Sequence, residues 1–387
     1  MALRPITIIG VVVSMLGGVS LGVAAFWSAV YYDTDARHER LLVSAAREIQ
    51  GSYIAEVDAD DLVDNAIRGM VEGLDGHSAF LDDDALVVLD EETTGRFGGI
   101  GIEVGMVDGH PTVIAPIADG PAERAGIAPG DRLIEVDHRA LAGRTLSDAV
   151  RNLRGEPGTP VHVRINRPAR SEPLDFDLTR DTIASVVSRL LSPGTGYVRI
   201  YQFDRPTRTD LDDAVSKLQQ EAPLTGLVLD LRGNPGGLLE TAVDVADAFL
   251  TDGVIVTIEG RQARSQRTFY ATPDAVAEGV PVAVLINGQS ASGSEVVAGA
   301  LKDRGRAVLI GTPSFGKGSV QSVIRLGSGA LKLTTAHYLT PSGHLIDEGG
   351  VAPDIRLPKR PDDTPQDHDK RLLDAALGEL RKMATTG

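Results

Sequence analysis

Apolar residues change their spacing several times along this chain, and each change marks a candidate boundary. From Pro5 to Tyr32 no side chain is charged, and Ile6 to Phe26 is dominated by Ile, Val, Leu, Gly and Ala. About 20 apolar residues cross a bilayer, so this run is long enough for a membrane helix, with Trp27, Tyr31 and Tyr32 as an interfacial belt. Residues 6–26 are therefore expected to anchor the chain within a segment spanning 1–34. A cleaved export signal competes with this reading, because Val23-Ala24-Ala25 resembles a small-residue cleavage site. The apolar run is longer than the usual signal core of about 7–15 residues, which favours retention. In either case the body is expected outside the cytoplasm; for the anchored form this means a single-pass inner-membrane protein facing the periplasm.

Residues 35–94 read as helical and acidic, with Leu41, Leu42, Ala45, Ile49 and Ile54 on one stripe and Leu62, Ala66, Ile67, Met70 and Leu74 on another. A turn is expected between Leu74 and Phe80. From Phe97 the period becomes two, with Ile100, Ile102 and Val104 alternating with small or polar residues as in a half-buried strand. Short strands around 112–114, 132–136 and 161–165 and one helix, Leu146 to Leu153, complete a β-rich module over 95–180. After Gly196 short, uninterrupted apolar runs alternate with helical segments. Leu227–Leu231 leads through Gly233-Asn234-Pro235-Gly236-Gly237 into a helix over 238–250, and Val282–Ile286 leads into one over 294–302. Such strands indicate a mainly parallel sheet covered on both faces, here over 181–357. A polar, Pro-containing stretch and an amphipathic helix occupy 358–387. The fold class is α/β multidomain.

Composition narrows the function. The chain has 387 residues, with 38 Lys plus Arg against 54 Asp plus Glu and a formal net charge of -16, and it has no cysteine. Clustered positive charge for phosphate neutralisation is missing, which argues against nucleic acid as a partner. Disulfides, thiolate metal sites and thiol nucleophiles are excluded together. His-Glu-x-x-His and Walker patterns are also missing, and no metal or organic cofactor is expected.

Open parallel sheets bind ligands beyond the carboxyl ends of their strands, where helix N-termini and turn amides converge. Ser290, Ser292 and Ser294 lie there, between strand 282–286 and the next helix. Serine caps helices as readily as it attacks carbonyls. Ser294, beside Glu295, is the better capping candidate, which leaves Ser292 less explained. A serine nucleophile needs a base, and His337 and His344 have no setting that marks them as one. Lys317, in Phe315-Gly316-Lys317-Gly318-Ser319-Val320-Gln321, is more suggestive. On a strand from Lys317 to Leu326, Lys317, Ser319 and Gln321 would share a face. Burial would lower the lysine pKa toward the neutral range that a base needs, whereas a solvated surface lysine would do nothing. Ser314-Phe315-Gly316-Lys317 also satisfies S-x-x-K, but Pro313, Gly316 and Gly318 oppose the helix that signature requires, and its companion motifs are missing.

Together, Leu74-Asp75-Gly76-His77-Ser78, Phe97-Gly98-Gly99-Ile100-Gly101-Ile102, Asp230-Leu231-Arg232-Gly233-Asn234-Pro235-Gly236-Gly237, Ser290-Ala291-Ser292-Gly293-Ser294-Glu295 and the Lys317 segment resemble the carboxyl-terminal processing (tail-specific) serine peptidases of family S41. The resemblance covers about Leu41 to Pro353. It departs at Gly293, where Ala is usual, and at Gly76, where Pro is usual. It implies a ClpP/crotonase-like protease core with Ser292 as nucleophile, Lys317 as general base and Gln321 positioning the lysine. It also implies an oxyanion hole from the N–H of Gly293 and a glycine of the Asn-Pro-Gly-Gly turn, Gly237 in preference to Gly236. The β-rich module resembles a PDZ domain, whose Gly99, Ile100, Gly101 and Ile102 would bind a peptide carboxylate and an added strand while the module gates the active site. Protein or peptide substrates with free C-termini are the implied partners. A second copy of the chain and an activating protein are further partners this architecture allows. The alternative of another class is a PDZ adaptor on an inactive peptidase fold.

Overall fold

The computed structural model describes residues 36–386 apart from 95–97, 108, 118–119, 145, 169 and 348. The expected anchor over 6–26 lies outside these residues. No helix among the described residues is long and apolar enough to cross a membrane. Two compact units are formed, one ending at Phe80 and one starting at Leu81.

The first unit is helical over 36–52 and again over Ala59–Glu72. Asp58 caps the second helix, its carboxylate accepting the N–H groups of Asp60 and Asp61. The expected turn follows: Asp75 Oδ1 accepts from the N–H groups of His77 and Ser78, both at 2.7 Å. The predicted apolar stripes are present but uncovered, Leu41, Leu42, Ile49, Ile54, Met70 and Leu74 all being exposed.

In the second unit a helix over Asp83–Thr94 precedes the β module. Strands Ile102–Val107, His110–Pro116, Arg132–Val136, Pro160–Asn166 and Leu174–Thr179 pair in that order, antiparallel throughout. Their alternate residues Val113, Leu133, Val163 and Ile165 pack a separate core with Leu141, Ala149 and Leu153. Helix Leu146–Leu153 lies where its apolar spacing placed it. Gly98–Gly99 pairs with Asp181–Thr182, so the two ends of the module are joined.

The α/β core is a six-stranded sheet in the order Val186–Ser192, Thr195–Ile200, Gly226–Asp230, Val282–Ile286, Ala307–Gly311 and Ile355–Arg356. Only the first pair is antiparallel. All five residues of Gly226–Asp230 and of Val282–Ile286 are buried, as their unbroken apolar runs require. One face is covered by helices Thr207–Glu221, Leu239–Asp247 and Gly293–Asp303, which build the main core with Phe203 and Phe249. Helix Pro365–Thr386 covers the other through Leu372, Ala376 and Leu380. A second sheet places Ala330–Leu339 between Ser319–Arg325 and Val254–Gly260. The strand expected from Lys317 begins two residues later. A register shift between Val320 and Gln321 leaves Thr335 of the partner strand as the extra residue, and Ser319 and Gln321 share a face as expected, while Lys317 precedes the strand.

Candidate active site

Two strands of the parallel sheet deliver the site. Beyond Gly226–Asp230 the chain turns through Gly233 to Gly237, and beyond Val282–Ile286 it turns through Asn287 to Ser292. Side-chain bonds lock the two turns together. Asn287 Oδ1 accepts from the Gly233 N–H at 3.1 Å, and the Ser290 hydroxyl donates to the Leu231 carbonyl at 2.9 Å. Asn234 Nδ2 donates to the Ile200 carbonyl and its Oδ1 accepts the Gly236 N–H. The Ser294 hydroxyl donates to the Asn234 carbonyl at 2.9 Å. Of the three serines two are therefore fasteners. Ser294 does not cap the helix as expected; Ser292 occupies the N-cap position, because the turn-locking bond takes the Ser294 hydroxyl.

Ser292 has φ 53 and ψ -112, a left-handed conformation that costs a non-glycine residue about 1–3 kcal/mol. Asp137 and His138 are the other described non-glycine residues with positive φ. Neighbouring glycines allow the elbow. A Cβ on Gly236, whose φ is +104, would come within 2.8 Å of Ser292 Cβ, and one on Gly293 would come within 3.0 Å of both Ala242 and the Phe203 ring. That crowding explains glycine where the family usually has alanine. The N–H groups of Gly293 and Gly237 carry no hydrogen bond among the described residues, while that of Gly236 is held by Asn234. Two free donors thus flank the elbow, the arrangement that stabilises an oxyanion.

Glu295, three residues after Ser292 and fully buried, was not singled out by the sequence reasoning. Its Oε2 accepts from the N–H groups of Ser292 at 2.7 Å and Lys317 at 2.9 Å. Its Oε1 accepts from the Gly316 N–H and the Ser314 hydroxyl, both at 2.6 Å. One carboxylate therefore joins the serine elbow to the lysine loop. The S-x-x-E spacing of a capping box was the available signal.

The Lys317 amine is half-buried, and burial, then the positive charge of Lys332, push its pKa below the ordinary lysine value against the opposing pull of Glu295. No hydrogen bond joins this amine to Ser292 or Gln321 among the described residues. Gln321 Nε2 instead donates to the hydroxyls of Ser319 at 3.0 Å and Thr334 at 3.4 Å. The Ser292 hydroxyl meets the phenol of Tyr338, which burial pushes up to about 12. Tyr338 is held there by its N–H, which donates to the Gly318 carbonyl at 2.7 Å. His337, passed over as a base, faces Asp347 at 2.8 Å.

Behind the turn lies a buried charge network. Asp230 accepts from the Tyr197 hydroxyl at 2.7 Å and from Arg232 Nε at 2.9 Å. Burial alone would raise its pKa, but Arg232 and then Arg199 outweigh it and hold Asp230 at about 2. Arg199 Nη2 also donates to Glu103 of the β module at 2.6 Å, with the two side chains 13% and 20% exposed.

The expected carboxylate loop keeps its glycines for two physical reasons. A Cβ on Gly98 would lie 2.3 Å from the Gly155 carbonyl oxygen, and Gly101 has φ +72. The carbonyls of Ile100 and Gly101 accept the N–H groups of Ala122 and Ile117, which fixes the loop shape. Gly99, Ile100, Gly101 and Ile102 line a cleft of about 1970 Å³ with Leu146 and Val150 of the module helix. The cleft continues past Arg199 to Gly233, Pro235 and Gln289 at the edge of the serine turn.

Known proteins are similar to this chain. The family described as peptidase family S41 matches residues 194–357, and that described as PDZ domain matches residues 112–167. The carboxy-terminal-processing protease of Bartonella bacilliformis is 44% identical over 336 residues, which cover 86% of this chain and 76% of that protein. The carboxy-terminal processing protease CtpB of Bacillus subtilis is 35% identical over 322 residues, 81% of this chain and 66% of its own length. Among solved structures, the photosystem II D1 C-terminal processing protease is similar with a TM-score of 0.55 and 32% identity, covering 82% of this chain and 92% of that one. The α/β core with its PDZ domain, the motif order and these matches place the chain in peptidase family S41, among the carboxy-terminal processing serine proteases.

Proposed function

We propose that Ser292 is the nucleophile and Lys317 the base of an endopeptidase that cuts proteins near their C-termini. The observation that carries this is Ser292 held left-handed at a strand-to-helix corner beside the N–H groups of Gly293 and Gly237, which have no hydrogen-bond partner among the described residues. In the forward step the Ser292 oxygen bonds to the scissile carbonyl carbon while its proton passes to the neutral Lys317 amine. The carbonyl oxygen becomes the oxyanion facing the two glycine amides. The C–N bond then breaks as the lysine ammonium returns the proton to the leaving amine, and water hydrolyses the acyl-enzyme by the same route.

In the described arrangement Ser292 faces Tyr338 and Gln321 faces Ser319, so the dyad forms only after the lysine loop moves. Gly316, with φ +89, and Gly318 flank Lys317 and supply the backbone freedom for that motion. On moving, Gln321 would turn from Ser319 to orient the amine. The PDZ cleft at Gly99 to Ile102 takes the substrate tail as an added strand, and the Glu103–Arg199 pair gives this module a direct hold on the core beside the serine turn. The body acts on the periplasmic side of the inner membrane, anchored through 6–26. The exposed apolar residues of the first unit suit packing against a second copy of the chain or an activating protein.

Digestion of a peptide with a free C-terminus by wild type, Ser292→Ala and Lys317→Ala is the direct test. Loss of turnover in both variants is expected; equal turnover in all three would refute the assignment, and no turnover in any of them would favour a peptide-holding adaptor. Protease accessibility of the body in spheroplasts, against intact cells, tests the location.

A further inference from the structure

On the solvent face of the PDZ sheet, far in sequence from the serine elbow, three metal-ligating side chains converge. Glu135 lies on strand Arg132–Val136, His138 in the turn that follows it, and His162 on the adjacent strand Pro160–Asn166. A ligand atom from each lies within 4.8 Å of the other two. The imidazoles stack with centroids 4.9 Å apart and planes inclined by 23°. His138 Nδ1 is 3.4 Å from Glu135 Oε1.

We propose that Glu135, His138 and His162 form a binding site for a divalent transition-metal ion of the zinc class. Two imidazoles and one carboxylate are the donor set such ions favour. The next layer has the matching form. His162 Nδ1 lies 2.9 Å from Asp177 Oδ1, the carboxylate partner that fixes the tautomer of a metal-ligating histidine and leaves Nε2 for the ion. Asp175 Oδ1, 3.2 Å from Nε2, is a second carboxylate beside the cluster, shared with Arg164, whose Nε donates to it at 2.7 Å. The register explains the convergence: Glu135 stands opposite Arg164 and His162 opposite Asp177, so these side chains share the outer face while Val136, Val163 and Ile165 face the core. An ion held here would tie the hairpin turn to the two central strands of the module.

The test is a titration of the untagged full chain with Co²⁺, read by visible ligand-field absorption, followed by displacement with Zn²⁺. One saturable equivalent is expected at this cluster. His138→Ala, a change at a side chain 82% exposed, should abolish it, as should His162→Ala. Asp177→Asn should weaken binding about 10–100-fold, the usual cost of losing such a partner. His337→Ala should bind as wild type does. Zn²⁺ should raise the melting temperature of wild type and leave that of His138→Ala unchanged. Failure to take up Co²⁺ saturably, or equal uptake by wild type and His138→Ala, would overturn the proposal.

Discussion

Replacing Glu295 separates the job of holding the elbow from that of supplying the chemistry. Its carboxylate receives the Ser292 and Lys317 N–H groups on one oxygen, and the Gly316 N–H and Ser314 hydroxyl on the other. In Glu295→Gln the amide nitrogen must replace one oxygen and will confront donors. It costs less on the Oε1 side, because the Ser314 hydroxyl can rotate while a backbone N–H cannot. That leaves the Gly316 N–H unpaired, at about 1–3 kcal/mol. Glu295→Ala orphans all the donors and breaks a buried network, at about 3–5 kcal/mol. Since misplacement of a reacting group by about 1 Å costs roughly 10²-fold, kcat should fall about 10-fold in the glutamine variant and 10²-fold or more in alanine. KM for a tail peptide should hold, because the PDZ loop is untouched. The charge adds a signature: Glu295 raises the Lys317 pKa, so Glu295→Gln lowers it further and moves the acidic limb of kcat/KM to lower pH. Urea unfolding and peptide kinetics across pH measure all three quantities. Wild-type kcat and unfolding midpoint in both variants would refute the reasoning.

Lys332→Met should move that limb the other way. Lys332 helps depress the Lys317 pKa, so removing its charge raises the pKa, and a pH profile showing no alkaline shift would contradict the coupling. Ser292→Gly should abolish turnover yet raise stability by about 1 kcal/mol or more, since it releases the left-handed strain; a lower melting temperature would show that the elbow is unstrained. Glu103→Ala should raise hydrolysis of peptides with an amidated C-terminus relative to those with a free one, because it cuts the tie between cleft and core. An unchanged ratio would remove Glu103 from the gate.

Periodicity carried most of the fold. Leu146–Leu153 and Val282–Ile286 emerge with the bounds their apolar spacing implied, and helix Pro365–Thr386 turns its Leu372, Ala376 and Leu380 inward. The failures have local causes. Alternation from Lys317 presumes a strand that includes it, but the strand starts at Ser319 and leaves Lys317 outside the face that Ser319 and Gln321 share. Ser294 looked like the cap because Ser and Glu are adjacent there, but a through-space bond to the Asn234 carbonyl claims its hydroxyl. Tyr338 was illegible. It follows Ser292 by more than forty residues, and the pairing of its strand with Val254–Gly260 and Ser319–Arg325 brings the phenol to the elbow.

Under the proposed function, the Glu103–Arg199 pair is the contact through which tail capture would act on the serine turn. Glu103 stands on the strand a tail would extend, and a Cβ on Gly233 would come within 3.0 Å of its Oε1. Gly233 in turn opens the loop that ends at the Gly237 donor, and its N–H is held by Asn287, whose own loop ends at Ser292. A peptide that pulls Glu103 toward itself must therefore loosen Arg199, and Arg199 donates to the Arg232 carbonyl at 3.2 Å, one residue from Gly233. The proposed route from cleft to oxyanion donor would use contacts already made. On this route the Gly237 side comes first, and the Lys317 side follows through Glu295, the Phe315–Ser290 backbone bond and Tyr338. Substrate binding should accordingly order the oxyanion donors before it delivers the base, so a tail peptide added to Lys317→Ala should still change hydrogen exchange at Gly237.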